Sequence, residues 1–242
     1  MKIFNLALIS VFSGLLSLSV IAETRSFFSL DAVVVFSQPG QTQDVNLWNN
    51  IGNTYSANRS WQNNVRAMLG VGVQAYASNE WQITSGLRFL PTINMSGQGD
   101  VLQLKSDNFL NFSYSYDITS HLLLWENSVT WTKHRWQPGL LVGIGGAWNT
   151  LSNYREIPLN EYAYGGQDHF SSQSQSQFLY EVGAVLDYAV DKNVMIEGAY
   201  RYIDAGNARL GVSPGQNTHD HLSTGPLHYQ TISLGVRIYD AL

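Results

Sequence analysis

Side chains in this sequence sort themselves two by two. In "NVRAMLGVGVQAYA" (64–77), Val65, Ala67, Leu69, Val71, Val73 and Ala75 fall on one face, and Arg66, Met68, Gly70, Gly72, Gln74 and Tyr76 on the other. In "WQITSGLRFLPTI" (81–93), Trp81, Ile83, Leu87, Phe89 and Ile93 oppose Gln82, Thr84, Gly86 and Arg88. The pattern returns in 178–190, 193–206 and 231–239, where Val194, Ile196, Gly198, Tyr200 and Tyr202 oppose Met195, Glu197, Ala199, Arg201 and Ile203. A period of two belongs to strands, whose successive side chains point to opposite faces; a helix would scatter these apolar residues around its axis. The runs reach 11–16 residues, against about 5–6 for an ordinary strand. The chain is therefore constrained to an all-β fold with strands long enough to cross something thick.

The punctuation between runs is asymmetric. Short connections lie near 78–80, 133–139 and 191–193, and long polar ones near 38–60, 95–107, 152–174 and 209–226. Seven connections imply eight strands, with tight turns at one rim and long loops at the other, as in an up-and-down transmembrane barrel. The phase slips within 111–132, where Tyr114, Tyr116 and Ile118 share one parity and Leu123, Trp125, Val129 and Trp131 the other. A bulge near Ser120–Leu122 would restore one outward face. A turn at "ITSH" would instead give ten strands.

Composition fits such a barrel. Charged residues make up 13 % of the chain and aromatics 12 %, against about 25 % charged in an average domain, while mean hydropathy is only −0.11. The only long apolar run is at the start: Lys2, an apolar stretch, then Val20 and Ala22 before Glu23. That layout predicts an export signal over 1–22 and a barrel domain over 23–242. A net charge of −5 argues against a nucleic-acid partner, and the absence of cysteine excludes disulfides and thiolate metal sites.

Tryptophan placement supplies an interface girdle. Trp81, Trp131 and Trp136 flank the short turns, and Trp61 and Trp148 stand at the far ends of their strands. Twelve steps separate Trp136 from Trp148; at strand rise and barrel tilt they cover roughly 30 Å, a bilayer core. With the apolar faces turned to lipid, the opposite faces gather Arg66, Arg88, Arg201 and Arg237 with Asp31, Glu126, Glu181, Asp187 and Glu197 in the lumen. An eight-strand interior is just wide enough for side chains to fill it. Charges enclosed there must pair. The expectation is an ion-pair network that plugs the barrel, with Gly70, Gly72, Gly143 and Gly145 leaving room for it.

"YEVGAVLDYAVDKNVMIEGAYRYIDAG" (180–206) and "PGLLVGIGGAWN" (138–149) resemble the penultimate hairpin and the fifth strand of small outer-membrane barrels of the OmpA, OmpX and opacity-protein type. Asp240 stands where such barrels carry a terminal aromatic. The resemblance implies a Gram-negative outer membrane and a monomer among lipids and lipopolysaccharide. It also implies a structural or surface-interaction role through the long loops, with no cofactor and no catalysis. Two other classes stay open: a narrow channel or lateral path for small solutes, and a lipid A-modifying hydrolase. His169 and Ser171 in "DHFS", with Glu181, carry the hydrolase possibility, although Glu181 falls on the lumen face. His219, Asp220 and His221, with His228 near, form a weak metal-binding candidate that reads better as a solvated loop.

Overall fold

The computed structural model describes residues 25–49, 51–159, 163 and 168–240; the expected export signal lies outside the described residues. Ten strands form one antiparallel sheet: β1 (Arg25–Ser37), β2 (Gln43–Trp48), β3 (Ile51–Ala57), β4 (Gln62–Ala77), β5 (Trp81–Leu102), β6 (Leu110–Trp131), β7 (Trp136–Pro158), β8 (Gln173–Ala189), β9 (Val194–Arg209) and β10 (Ser223–Tyr239). Eight of them close a ring in the order β1-β4-β5-β6-β7-β8-β9-β10. The ring is sealed by β1 on β10, from Phe27 opposite Tyr239 to Phe36 opposite Gln230. It is an eight-stranded up-and-down transmembrane β-barrel.

The tight turns of one rim are set by short polar side chains. Ser78 Oγ accepts from the Trp81 backbone N–H at 3.0 Å. Asp191 Oδ1 accepts from the N–H groups of Asn193 and Val194 at 2.7 and 2.9 Å. Such side chains stand in for backbone partners and reverse the chain within a few residues. The turn expected over 133–139 is shorter, because β7 already begins at Trp136.

The far rim departs further from expectation. β6 runs without a break through "ITSH", and the two additional strands come from the segment expected as a loop over 38–60. There β2 and β3 form a hairpin, and β3 pairs with Gly99–Leu102 of β5. The expected loop over 95–107 is also mostly strand, since β5 reaches Leu102.

Length explains why. β5, β6 and β7 have 22, 22 and 23 residues, whereas crossing a bilayer takes about 9–11. The excess rises above the membrane, and the wall there reverses its polarity. Near the tight turns the outer face carries Leu69, Val71, Leu87, Val129, Leu140, Val142, Val182, Leu234 and Val236, all exposed. Above them, by alternation, the outer face carries Asn94, Gln98, Asp100, Ser113, Ser115 and Asp117. The inner face there holds Ile93, Met95, Val101, Phe112, Tyr114, Tyr116 and Ile118, all buried in one core with Val45, Leu47 and Tyr55 of the hairpin.

This corrects two expectations. No bulge interrupts β6 at Ser120–Leu122: Tyr114, Tyr116 and Ile118 point inward on the same parity as Leu122, Leu124 and Glu126. The apolar parity changes because the surrounding solvent changes, while the backbone stays regular. In β5 the reverse holds. Pro91 and Thr92 together oppose His121, a bulge that moves Ile93 from the expected lipid face to the core. Thr92 adopts φ 45°, and its N–H donates to His121 Nδ1 at 3.2 Å.

A guanidinium on the outer wall should reveal the boundary. Leu234→Arg is expected to lower stability by about 2–4 kcal/mol in urea titrations of the lipid-embedded barrel, and Ser115→Arg by no more than about 1 kcal/mol.

Candidate functional site: a charged lumen below an aromatic vestibule

Eight of the nine charged side chains expected in the lumen meet inside the membrane-spanning part of the barrel. Glu197 on β9 is the hub. It accepts from Arg88 Nη2 at 2.9 and 3.0 Å, from Arg201 Nη2 at 3.0 Å, and from Arg237 Nη2. Glu126 on β6 bridges Arg88 Nε at 3.1 Å and Arg201 Nε at 2.8 Å. Asp31 takes Arg88 at 2.9 Å, and Asp187 takes Arg237 at 3.1 Å. Ser29 and Ser233 accept the remaining Nη1 donors of Arg88 and Arg201. Glu181 lies 3.9 Å from Arg201 Nε. All eight are almost fully enclosed; Glu126, the least so, is 6 % exposed.

The register shows how so much charge fits. Gly235 sits between Asp31 and Glu197 in cross-strand register, and Gly143 between Glu126 and Glu181. Gly70 faces Arg88, and Gly183 faces Arg201. A Cβ on Gly235 would meet Asp31 Oδ1 at 2.1 Å, and one on Gly70 would meet Ser29 Oγ at 2.3 Å. Arg88, Arg201, Glu126, Glu181 and Glu197 each therefore cross the lumen beside a glycine on a neighbouring strand, whereas Arg237 lies opposite Ser29 and Met195.

Below this layer Phe27, Met195 and Tyr239 close the end near the tight turns. Tyr239 Oη accepts from Gln82 Nε2 at 2.7 Å, and its ring meets that of Phe27 at 5.8 Å. Above it Tyr55, Tyr114, Tyr154 and Phe170 pack ring on ring at 5.0–6.4 Å.

Arg66 is the ninth residue, and it is not part of this network. Its Nε donates to Thr92 O and its Nη1 to Val65 O at 2.7 Å. The cause is the β5 bulge. The β4–β5 ladder stops at Leu69 opposite Phe89, beyond which Pro91 has no N–H to give. Side chains of β4 stitch the seam instead. Gln62 exchanges two bonds with the Ser96 backbone, at 2.6 and 2.9 Å, and Asn64 Nδ2 donates to Asn94 O at 3.0 Å.

The five tryptophans of the expected girdle are all outside the wall, 40–59 % exposed. Trp81 lies opposite Trp131 beside a tight turn, and the Trp136 ring lies 4.8 Å from that of Tyr188. Trp61 precedes β4, and Trp148 stands twelve residues up β7 from Trp136.

A second polar cluster, which sequence reasoning missed, lies in the vestibule. Asp168 Oδ2 accepts from Tyr55 Oη at 2.7 Å and Asn53 Nδ2 at 3.1 Å. The Asp168 backbone N–H donates to Glu156 Oε2 at 2.9 Å, while Tyr154 Oη donates to Glu156 Oε1. It clasps the segment after β7 onto the hairpin. Burial is the main reason that both carboxyls titrate above their ordinary range, Glu156 at about 7. The signal available was Glu156 lying eight residues beyond Trp148, too far up β7 to face lipid.

The other motifs do not assemble. His169 is exposed, Ser171 Oγ donates to Val212 O at 3.4 Å, and Glu181 is enclosed in the lumen. The three make no hydrogen bond to one another, so the hydrolase constellation is absent. Among the described residues no group of three or more acidic or imidazole side chains is arranged to hold a metal ion. Asp220 instead accepts from Asn46 of the hairpin at 2.8 and 2.9 Å.

No family model matches the chain, and no curated protein matches it. Solved structures similar to it include Neisserial surface protein A, 13 % identical over 88 % of this chain and 96 % of that one, TM-score 0.41. Another is the outer membrane protein OprG from Pseudomonas aeruginosa, 15 % identical over 88 % and 96 %, TM-score 0.41. The outer membrane protease OmpT from Escherichia coli is 11 % identical over 93 % and 100 %, TM-score 0.45.

Two outcomes are expected. Glu197→Ala takes one carboxylate partner from each of Arg88, Arg201 and Arg237, which keep Asp31, Glu126 or Asp187, and should cost about 3 kcal/mol in the same urea titration. For the vestibule clasp, a raised carboxyl pKa means that the released clasp ionises first as pH rises. Stability contributed by protonated Glu156 is complete below about 4.5 and falls away towards about 7. Hydrogen exchange at the Asp168 and Phe170 amides, corrected for intrinsic rate, should be faster at pH 8 than at pH 5, and Glu156→Gln should remove the difference.

Proposed function

We propose that this is a plugged outer-membrane barrel of a Gram-negative cell, exported by its N-terminal signal. Its water-exposed crown makes contacts at the cell surface, among lipopolysaccharide and neighbouring cells. The protein acts as a monomer, without cofactor and without catalysis. One observation carries the reading: among the described residues three enclosed layers follow one another in the interior, Phe27 with Tyr239, then the arginine–carboxylate network, then the aromatic vestibule. A path for ions or solutes would have to break several charge-assisted bonds at once, and those are the strong kind.

The crown supplies the interaction surface. Trp48 and Ile51 face one another at the hairpin tip, 47 and 55 % exposed. Phe109, Leu110, Ile157 and Leu159 are also exposed near the ends of β5, β6 and β7. Adjacent exposed apolar side chains, as at Trp48 and Ile51, are the kind of surface that marks an interaction site.

The stitched β4–β5 seam favours a second reading, a lateral path for small apolar compounds, because side chains part more readily than a backbone ladder. Planar bilayers separate the two. The plugged barrel is expected to give no steady conductance step at neutral pH, and a stable ohmic step from the unaltered protein would overturn the reading. Cells displaying Trp48→Ser with Ile51→Ser should lose surface attachment while the barrel keeps its heat-modifiable gel mobility.

A further inference from the structure

The wall parts between β8 and β9 above the membrane. The two strands are paired from Ala189 opposite Met195 up to Tyr180 opposite Asp204. Beyond that row β8 continues with β7, and β9 with β10. Gly206 causes the divergence. It takes φ 71°, a left-handed conformation that glycine adopts at no steric cost, and its N–H turns onto Asp204 Oδ1 at 2.9 Å. The two chains meet again where the Gly211 N–H donates to Ser171 O at 2.8 Å.

Between these two closures lies a cleft of about 680 Å³. Small-molecule sites typically enclose about 300–1,000 Å³. Gln175 and Ser176 form one wall, and Arg209, Asp220 and His221 stand on the other; at one end Gln177 Nε2 donates to Asn207 Oδ1 at 3.3 Å and joins the two walls. The Arg209 guanidinium has no hydrogen-bond or ion-pair partner among the described residues. Asp220 also lines the cleft; its Oδ2 accepts from Asn46, it keeps its negative charge, and it forms no ion pair with Arg209. Gln175 Nε2 is buried without an acceptor. His221 Nδ1 donates to Leu210 O at 2.9 Å.

We propose that this cleft binds a compact, polyhydroxylated anion, an acidic sugar. The inference rests on the surface-interaction reading and names a ligand class for it. Amides and hydroxyls on facing walls donate and accept together, which suits adjacent sugar hydroxyls. Arg209, permanently charged, offers a two-pronged seat for a carboxylate or phosphate. At the end closed by Gln177 an added peptide strand does not fit: it would need about 4.8 Å of clearance on each side, whereas a Cβ on Gly206 would already lie 2.8 Å from Gln177 Cβ. Acidic sugars reach this level from two sources: the lipopolysaccharide core of the same leaflet, and glycans of another cell.

The test uses the refolded full-length barrel in micelles of a detergent without a sugar headgroup. Calorimetric titrations compare lipopolysaccharide core oligosaccharide released by mild acid, sialyllactose, and neutral lactose. At least one acidic probe is expected to bind at least about tenfold more tightly than lactose. Arg209→Ala should weaken that binding about tenfold, which is about 1.4 kcal/mol. Arg155→Ala, on an exposed position of β7, should leave it unchanged. The acidic probe that binds identifies the source. Failure of both acidic probes, equal binding of lactose, an unaffected folded Arg209→Ala protein, or capture of an extended peptide at β8 would each overturn the proposal. Silent bilayers with no saccharide binding remove only the cleft; a conducting barrel that binds the acidic sugar removes only the plug.

Discussion

Hydrocarbon offers no hydrogen bonds, so every backbone N–H and C=O within it must find a partner in the protein. The β1–β10 ladder meets that demand by closing the sheet on itself. Closure with eight strands then fixes the interior at side-chain width. Whatever points inward is enclosed, and enclosed charge survives only when paired. The arginine–carboxylate layer is thus a consequence of ring size as much as of its own residues. It has fewer guanidinium groups than carboxylates, and Glu181, with neither oxygen hydrogen-bonded, is the least well matched.

Above the hydrocarbon the same wall obeys the opposite rule. Water satisfies the outer face, and the inner face becomes a hydrophobic core in which Tyr114 stacks between Tyr116 and Tyr154. One continuous sheet therefore serves two solvents. The hairpin of β2 and β3 belongs to the second regime. Val45, Leu47 and Tyr55 are buried in the core, and Trp48 Nε1 donates to Gly215 O at 2.8 Å across the mouth.

Much of this was legible from alternation alone. The ring, the tight turns and the inward parity of Asp31, Arg88, Glu126, Glu181, Asp187, Glu197, Arg201 and Arg237 follow from counting by twos. What misled was the assumption that apolar means lipid-facing along a whole strand. In β6 the apolar parity shifts while the backbone stays regular; in β5 the apolar parity runs on unbroken through a bulge. Sequence records chemistry, and the pleat records direction. The two coincide only while the surroundings stay the same. Arg66 was misplaced for a related reason: its parity is inward, but the missing Pro91 N–H left carbonyl groups at the seam that draw it sideways. The Glu156–Asp168 clasp joins residues from two ends of a long connection, and no local spacing announces such a meeting.

Stitching in place of a ladder has a mechanical consequence. A backbone ladder yields row by row, and each row leaves stranded polar groups that resist the next step. The bonds from Gln62, Asn64 and Arg66 are separate fasteners, each releasable by a rotamer change once water reaches it. Strain applied to the barrel, whether from a neighbour in the membrane or from a pull on its crown, should therefore concentrate along this line.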